Sequence, residues 1–250
     1  MLNSRELEKS FKELGLCEGD IVLVHSSYKS LGAVEGGPET VIRAILDVIG
    51  EKGTLIAPTF NFDFCKGEPF DIRTTPSQMG IITEMVRKNP GSTRNLHPIY
   101  SFAFIGKNAK EFGNMRYKSS YGSESVFQSL KDMDGKIMIV GLPYNHSMTF
   151  FHHVEEMEGC DYRYFKSFTG KITDEAGNSY EDTFTMLVRD LDRGVITDVE
   201  PMGEVLEKDG AVNIRRIGAA EVKLMKVREV YRITAQNMKN NPRLLYRIEK

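Results

Sequence analysis

The stretch Asp20-Ile-Val-Leu-Val-His25, then Ser26-Ser-Tyr-Lys-Ser-Leu-Gly-Ala-Val-Glu-Gly-Gly37, then Pro38-Glu-Thr-Val-Ile-Arg-Ala-Ile-Leu-Asp-Val-Ile49 decides the fold. Its first part is a short apolar run suited to a buried strand. Its last part is a helix with proline at the first helical position, where the missing N–H costs nothing. Between them lies a loop of small hydroxyl residues and glycines. Gly50-Glu-Lys-Gly53 then turns the chain into a second strand, Thr54-Leu-Ile-Ala-Pro58. Strand, loop, helix, strand is an α/β beginning.

Working outward, residues 4–15 show helical spacing and end near Gly15, a C-cap residue. The segment from Asn61 to Pro76 is polar and proline-rich, hence a loop, and Ser77 is expected to cap a helix running to about Lys88. Ser101–Gly106 and Lys136–Gly141 are further strands, and Ser147 to Glu158 is helical. Past residue 160 the texture changes. Phe165–Thr173 and Tyr180–Val188 flank Asp174-Glu-Ala-Gly-Asn178 as an antiparallel hairpin. A helix near 201–209, one or two strands over 211–226 and a helix over 227–240 complete the chain. The expectation is α/β passing to α+β: a central mixed β-sheet flanked by helices, with a smaller C-terminal antiparallel sheet. Residues 1–160 form the core in this reading, and 161–250 supply a hairpin and helices packed as one unit with it.

Composition narrows the classes. The 250 residues are 40% hydrophobic and 27% charged, as in an ordinary globular protein. With 33 basic against 35 acidic residues, no basic excess marks a nucleic-acid partner. No apolar run reaches membrane-span length, and the charged N-terminal stretch lacks a signal-peptide core, so a cytoplasmic location is expected. The three cysteines are widely spaced without a CxxC pair, which argues against a disulfide framework or zinc ribbon.

Three segments could carry chemistry. The loop His25–Pro38 could bring its backbone, and the N-terminus of the following helix, against a pyrophosphate, or it could be a plain connection. It lacks the GxxxxGK[ST] and GxGxxG spacings, which disfavours ATP and NAD. In Thr93-Arg-Asn-Leu-His-Pro-Ile-Tyr-Ser101, Arg94 could pair with a phosphate or carboxylate, while His97 reads as a loop histidine bonded to backbone. In Thr149-Phe-Phe-His-His-Val-Glu-Glu156, helical spacing aligns Thr149, His152 and Glu155 on one face. Hydroxyl, imidazole and carboxylate together suit general-base chemistry. His153 and Glu156 form a rotated second pair, and the residues alone do not choose between them or exclude a solvated surface. No HExxH motif supports a metal, and no GxSxG elbow supports an acyl-enzyme.

In order along the chain, these segments resemble the aminoglycoside 3-N-acetyltransferase family, whose fold differs from the GNAT acetyltransferases. The resemblance covers roughly residues 15–160. It runs through Leu23-Val-His-Ser-Ser-Tyr-Lys-Ser-Leu-Gly32 with Gly36-Gly-Pro-Glu-Thr-Val41, and Gly53-Thr-Leu-Ile-Ala-Pro-Thr-Phe60. It continues in Thr75-Pro-Ser-Gln-Met-Gly80, Arg94-Asn-Leu-His-Pro-Ile-Tyr-Ser101 and Tyr121-Gly-Ser-Glu-Ser125. It closes from Asp134-Gly135 through Gly141 to Thr149-Phe-Phe-His-His-Val-Glu155. Any one segment is weak; the ordered series is specific. The resemblance implies direct transfer from acyl-CoA, a co-substrate rather than a bound cofactor, to an amine without a metal. On matching positions, His25, Ser26, Ser27, Tyr28, Lys29, Ser30, Leu31 and Gly32 would wrap the coenzyme, with Arg94 and Ser101 on the same side. His152 would be the catalytic histidine, Thr149 a hydroxyl near the thioester, and Glu155 its partner or a holder of the incoming ammonium.

The acceptor expected is an amino sugar. A polycationic aminoglycoside calls for many carboxylates, yet the one dense acidic cluster is Glu155-Glu-Met-Glu158 with Asp161. Arg163, Lys166 and Lys171 are expected to face the acceptor, which favours a nucleotide-linked amino sugar over an aminoglycoside antibiotic. A non-catalytic coenzyme-binding relative is a third reading. No nucleic-acid or membrane partner is expected, and a homo-oligomer is left open.

Overall fold

A computed structural model describes residues 1–249. Along the chain come α1 (Ser4–Leu14), β1 (Ile21–Ser26), α2 (Pro38–Ile49), β2 (Thr54–Pro58), β3 (Phe70–Asp71), α3 (Ile81–Lys88), β4 (Thr93–Arg94) and β5 (Phe102–Gly106). The middle carries α4 (Ala109–Gly113), α5 (Val126–Asp132), β6 (Lys136–Val140) and α6 (Phe150–Glu158). Then follow β7 (Arg163–Thr173), β8 (Ser179–Arg189), β9 (Val195–Thr197), α7 (Glu200–Lys208), β10 (Val212–Ile217), β11 (Ala220–Lys226), α8 (Val227–Asn240) and β12 (Tyr246–Ile248).

A seven-stranded mixed sheet, ordered β10-β11-β6-β1-β2-β5-β4, organises the molecule. Its centre, β6-β1-β2, is parallel, and β5 and β11 run antiparallel against its two sides. Alternation along β1 assigns each face its own core. Val22 and Val24 pack with Leu7, Phe11, Val41, Ile45 and Ile82 from α1, α2 and α3. Leu23 faces the other way, among Phe127, Phe150, Val154 and Val230 from α5, α6 and α8. Helices thus cover both faces, as a buried parallel centre requires.

The ends of α1 and α2 follow from local chemistry. Asn3 Oδ1 accepts from Glu6 N (3.0 Å) while Asn3 N donates to Glu6 Oε2 (2.9 Å), a complete capping box. Gly15 at φ 108° closes α1. The hairpin β7–β8 pairs from Arg163↔Arg189 to Thr173↔Ser179, and β3 joins it as a third strand. β9 and β12 form a further two-stranded antiparallel sheet.

Three local expectations are corrected. Ser77 does not cap a helix: α3 starts after Gly80 (φ 108°), because the Ser77 hydroxyl is engaged in the preceding turn by Met79 N (3.1 Å) and Thr83 Oγ1 (2.9 Å). α6 starts at Phe150, since Tyr144–His146 form a separate 3-10 turn and the Ser147 hydroxyl donates to Pro143 O (2.8 Å). Residues 61–76 are not all loop, because Phe70–Asp71 align with Ile172 and Thr173. Among the described residues no helix is long and apolar enough to cross a membrane.

Candidate active site

α6 leaves the C-terminal side of β6, the edge where ligands meet open α/β sheets. His152 lies on its first turns with its side chain 16% exposed, and Glu155, one turn on, is fully buried. His152 Nδ1 lies 2.6 Å from Glu155 Oε2. Tyr162 Oη donates to Glu155 Oε1 (2.8 Å), and Arg163 Nε stands 2.8 Å from Oε2 as a charge contact rather than an aligned hydrogen bond. Burial alone would raise the Glu155 pKa, but the Arg163 charge and the His152 and Tyr162 contacts hold it below the usual carboxylate range. Glu155 is therefore ionised and acceptor-only, so His152 Nδ1 carries the proton and Nε2 keeps its lone pair. Burial, then the Arg163 charge, lower the His152 pKa against the opposing pull of Glu155. The ring is neutral near pH 7 and free to accept a proton at Nε2.

His152 separates two cavities. The larger, about 330 Å³, is lined by Phe62, Tyr100, Tyr121 and residues of the β7–β8 hairpin, including Arg163, Lys166 and Arg189. The smaller, about 250 Å³, is lined by Met79, Tyr144, Asn145, His146 and Thr149. Phe62, Tyr100, His152 and Thr197 line both. Thr149 lines the smaller cavity, and its side chain makes no capping bond to α6. One imidazole reached from two sides suits a base that serves two reactants meeting above it.

The rotated pair is structural. His153 Nδ1–H donates to Tyr121 O (2.6 Å), and its ring is buried against Phe127, Phe150 and Tyr231. Burial pushes its pKa down to about 4. Glu156 accepts from the Ser119 hydroxyl and lines neither cavity. His97 is a loop histidine bonded to backbone, its Nδ1 accepting from Tyr100 N (2.9 Å).

The coenzyme-side residues divide. Ser26 at the end of β1, and Ser27, Tyr28, Lys29 and Gly32 on the loop after it, keep accessible surface. The loop docks on the turn after β6: Ser27 N donates to Val140 O (2.8 Å), and a side chain on Gly141 (φ 62°) would strike Ser30 Oγ. Ser26 O approaches Gly80, next to Met79 of the smaller cavity, but residues 25–32 line neither cavity themselves.

Four expectations on this side are corrected for direct contact through the side chain. Leu31 is 2% exposed and packs into the α1–α2 core. His25 is 5% exposed, its pKa lowered by burial to about 4. Arg94 is buried, and every guanidinium nitrogen donates inward, to Thr59 Oγ1 and O, Ser101 Oγ, Ile72 O and Thr75 O. Ser101 is fully buried in that same network, donating to Thr59 O (3.0 Å). Arg94 ties the 59–76 segment to the sheet edge, with four of its five N–H donors engaged there. The Ser30 hydroxyl likewise donates to Ser27 O (2.6 Å).

Of the three basic residues past 160, Lys166 lines the larger cavity, Lys171 does not, and Arg163 is mostly turned inward onto Glu155. Tyr162 and Arg189 were not singled out by sequence. Tyr162 meets Glu155 from beyond the end of α6 at Glu158, where the chain is no longer helical and spacing along the sequence does not announce the contact. Arg189 comes to the site only through its register opposite Arg163.

An open-edged mixed sheet carries a helix-borne imidazole, backed by a buried carboxylate and open to two cavities, an arrangement that suits general-base chemistry. The chain belongs to the aminoglycoside 3-N-acetyltransferase family, whose model matches residues 23–239. It is 32% identical over 171 residues to aminoglycoside N(3)-acetyltransferase VII of Streptomyces paromomycinus, covering 60% of this chain and 59% of that protein. It is 26% identical to aminoglycoside N(3)-acetyltransferase VIII of Streptomyces fradiae, covering 90% and 88%. The crystal structure of aminoglycoside acetyltransferase AAC(3)-Xa superposes with a TM-score of 0.84 at 25% identity, covering 95% of this chain and 92% of that one. The chain thus spans about three fifths of the length of the first of these relatives.

Proposed function

We propose that this protein is an acetyl-CoA-dependent N-acyltransferase that acts on an amino group of an amino sugar, with His152 as general base. Membership of the family supports the donor and the reaction class. The names of the relatives favour an aminoglycoside as acceptor over the nucleotide-linked amino sugar expected from sequence charge. The observation that carries the mechanism is the neutral His152, oriented by Glu155 and open to both cavities.

In the reaction, the amine nitrogen attacks the thioester carbonyl carbon as a free base. A new C–N bond forms, the C–S bond breaks, and coenzyme A leaves as thiolate. His152 Nε2 takes the proton lost by nitrogen, Glu155 stabilises the imidazolium, and that proton then neutralises the thiolate. Thr149, which lines the smaller cavity, is the side-chain donor for the developing oxyanion. Glu155 acts through His152 rather than on the ammonium, because it is fully buried and lines neither cavity.

The test follows free thiol released from acetyl-CoA over a panel of amino sugars and aminoglycosides, with the native chain and His152→Ala. Amine-dependent release that falls at least a hundredfold in the variant supports the reading. Coenzyme binding without release from any amine would favour a non-catalytic binding module.

A further inference from the structure

The larger cavity beside His152 is lined by Arg163, Lys166 and Arg189, and no aspartate or glutamate appears in its lining. Near this wall, one carboxylate is Glu155, sequestered beneath Arg163 and His152. Arg163 and Arg189 are direct cross-strand partners, although like charges facing each other across a ladder are destabilising. Arg163 is compensated by Glu155; among the described residues Arg189 and Lys166 have no carboxylate partner. Arg189 is near enough to the catalytic ring to lower the His152 pKa along with burial and Arg163. Asp190, the nearest acid in sequence, accepts from Arg193 N instead (3.1 Å). Aromatic surface completes the wall in Phe62, Tyr164 and Phe168.

We propose that Arg189 and Lys166 form an anion subsite in the acceptor cavity, for an amino sugar that carries a phosphate group close to the amine to be acylated. This deepens the acyl-transfer reading and rests on it for the role of His152. A polycationic acceptor would meet an uncompensated positive wall where it needs carboxylates. A phosphate would pair with the free guanidinium bidentately, with the lysine as a second point charge. The aromatic side chains suit the apolar face of the sugar ring. A sugar phosphate and a nucleotide-linked sugar offer the same recognition chemistry.

The experiment measures both thiol release from acetyl-CoA and equilibrium binding without the donor. The probes are glucosamine, glucosamine 1-phosphate, UDP-glucosamine and a neomycin-class aminoglycoside. The expected result is kcat/KM at least tenfold higher for a phosphorylated acceptor than for glucosamine, with the aminoglycoside below both. Whichever phosphorylated probe leads identifies the source. Arg189→Gln and Lys166→Gln, each exposed and outside the His152–Glu155 pair, should abolish that preference, with the loss read as a higher KM for the phosphorylated acceptors. Equal use of glucosamine and its phosphates, or an aminoglycoside preferred over all, overturns the subsite and leaves acyl transfer standing. Arg189-dependent binding of the phosphorylated probes without thiol release overturns acyl transfer and leaves the subsite standing. Absence of Arg189-dependent binding overturns the subsite whatever the turnover.

Discussion

His152 owes its chemistry to a buried neighbour set rather than to its own position on a helix. Glu155 is held ionised by Arg163 at 2.8 Å and fixes the tautomer through a 2.6 Å contact. Removing the base should lower kcat/KM by roughly 10²–10⁴, measured as thiol release from His152→Ala; near-native turnover would sink the assignment. Glu155→Gln keeps the shape but loses the charge. It leaves Arg163 buried without its partner, so it should cost about 3–5 kcal/mol of stability as well as turnover, both readable from one preparation by denaturant titration and assay. Because burial and Arg163 lower the His152 pKa, the ring stays neutral below its ordinary range. At saturating substrates kcat should hold steady from pH 8 down to about 6.5, the value of a free imidazole, and fall only below it. An acid limb centred at or above pH 7 would contradict this environment.

At the scale of elements, two connections dock against each other beside the site: the loop after β1 and the turn after β6. Gly141 makes that possible, since its φ of 62° disfavours a side chain and any Cβ would overlap Ser30 Oγ. Gly141→Ala should destabilise the fold by about 1–3 kcal/mol, lowering the thermal midpoint, and should weaken coenzyme binding more than acceptor binding. Equal loss of both would show that the loop serves stability alone. The elements that build this arrangement were mostly legible in the sequence. The hydrophobic runs at 20–25, 54–58 and 136–140 announce the strands, and the hairpin is marked by Asp174–Asn178. What escaped has physical reasons. α4 and α5 are five and seven residues long, too short to display a helical period. β3, β9 and β12 are two or three residues long and owe their existence to partners elsewhere in the chain. Arg94 reads in sequence as an anion binder because nothing local reveals that Thr59, Ile72 and Thr75 converge on it. Helical spacing aligns Thr149, His152 and Glu155 but pairs His153 with Glu156 equally well, so the choice between them comes from the family resemblance, whereas Tyr162 and Arg189 depend on tertiary register.

For the whole molecule, the two cores on opposite faces of the sheet make folding and proton binding one problem. Strand alternation sends His25 to the face of Leu23, and His97 and His153 are buried on that side as well. Burial pushes His25 down to about 4, His97 to about 3 and His153 to about 4. Each has a folded-state pKa below its unfolded value of about 6.5, so the unfolded chain binds more protons between those limits. Stability from these rings is complete above pH 6.5 and is lost as the pH falls. By pH 5 each ring should have cost about 2 kcal/mol. The three together then rival a typical domain's total stability of ~5–15 kcal/mol. Carboxylates with lowered pKa values, such as Glu84 at about 2, lose stability with the same sign but at lower pH. The histidine window is thus distinct: the thermal midpoint should decline steeply between pH 6.5 and 5, before carboxylates titrate. Calorimetry in buffers of different ionisation heat should show unfolding at pH 5 taking up on the order of three protons. A midpoint flat across that window, or unfolding without proton uptake, would mean that the three rings are not held neutral in the folded state.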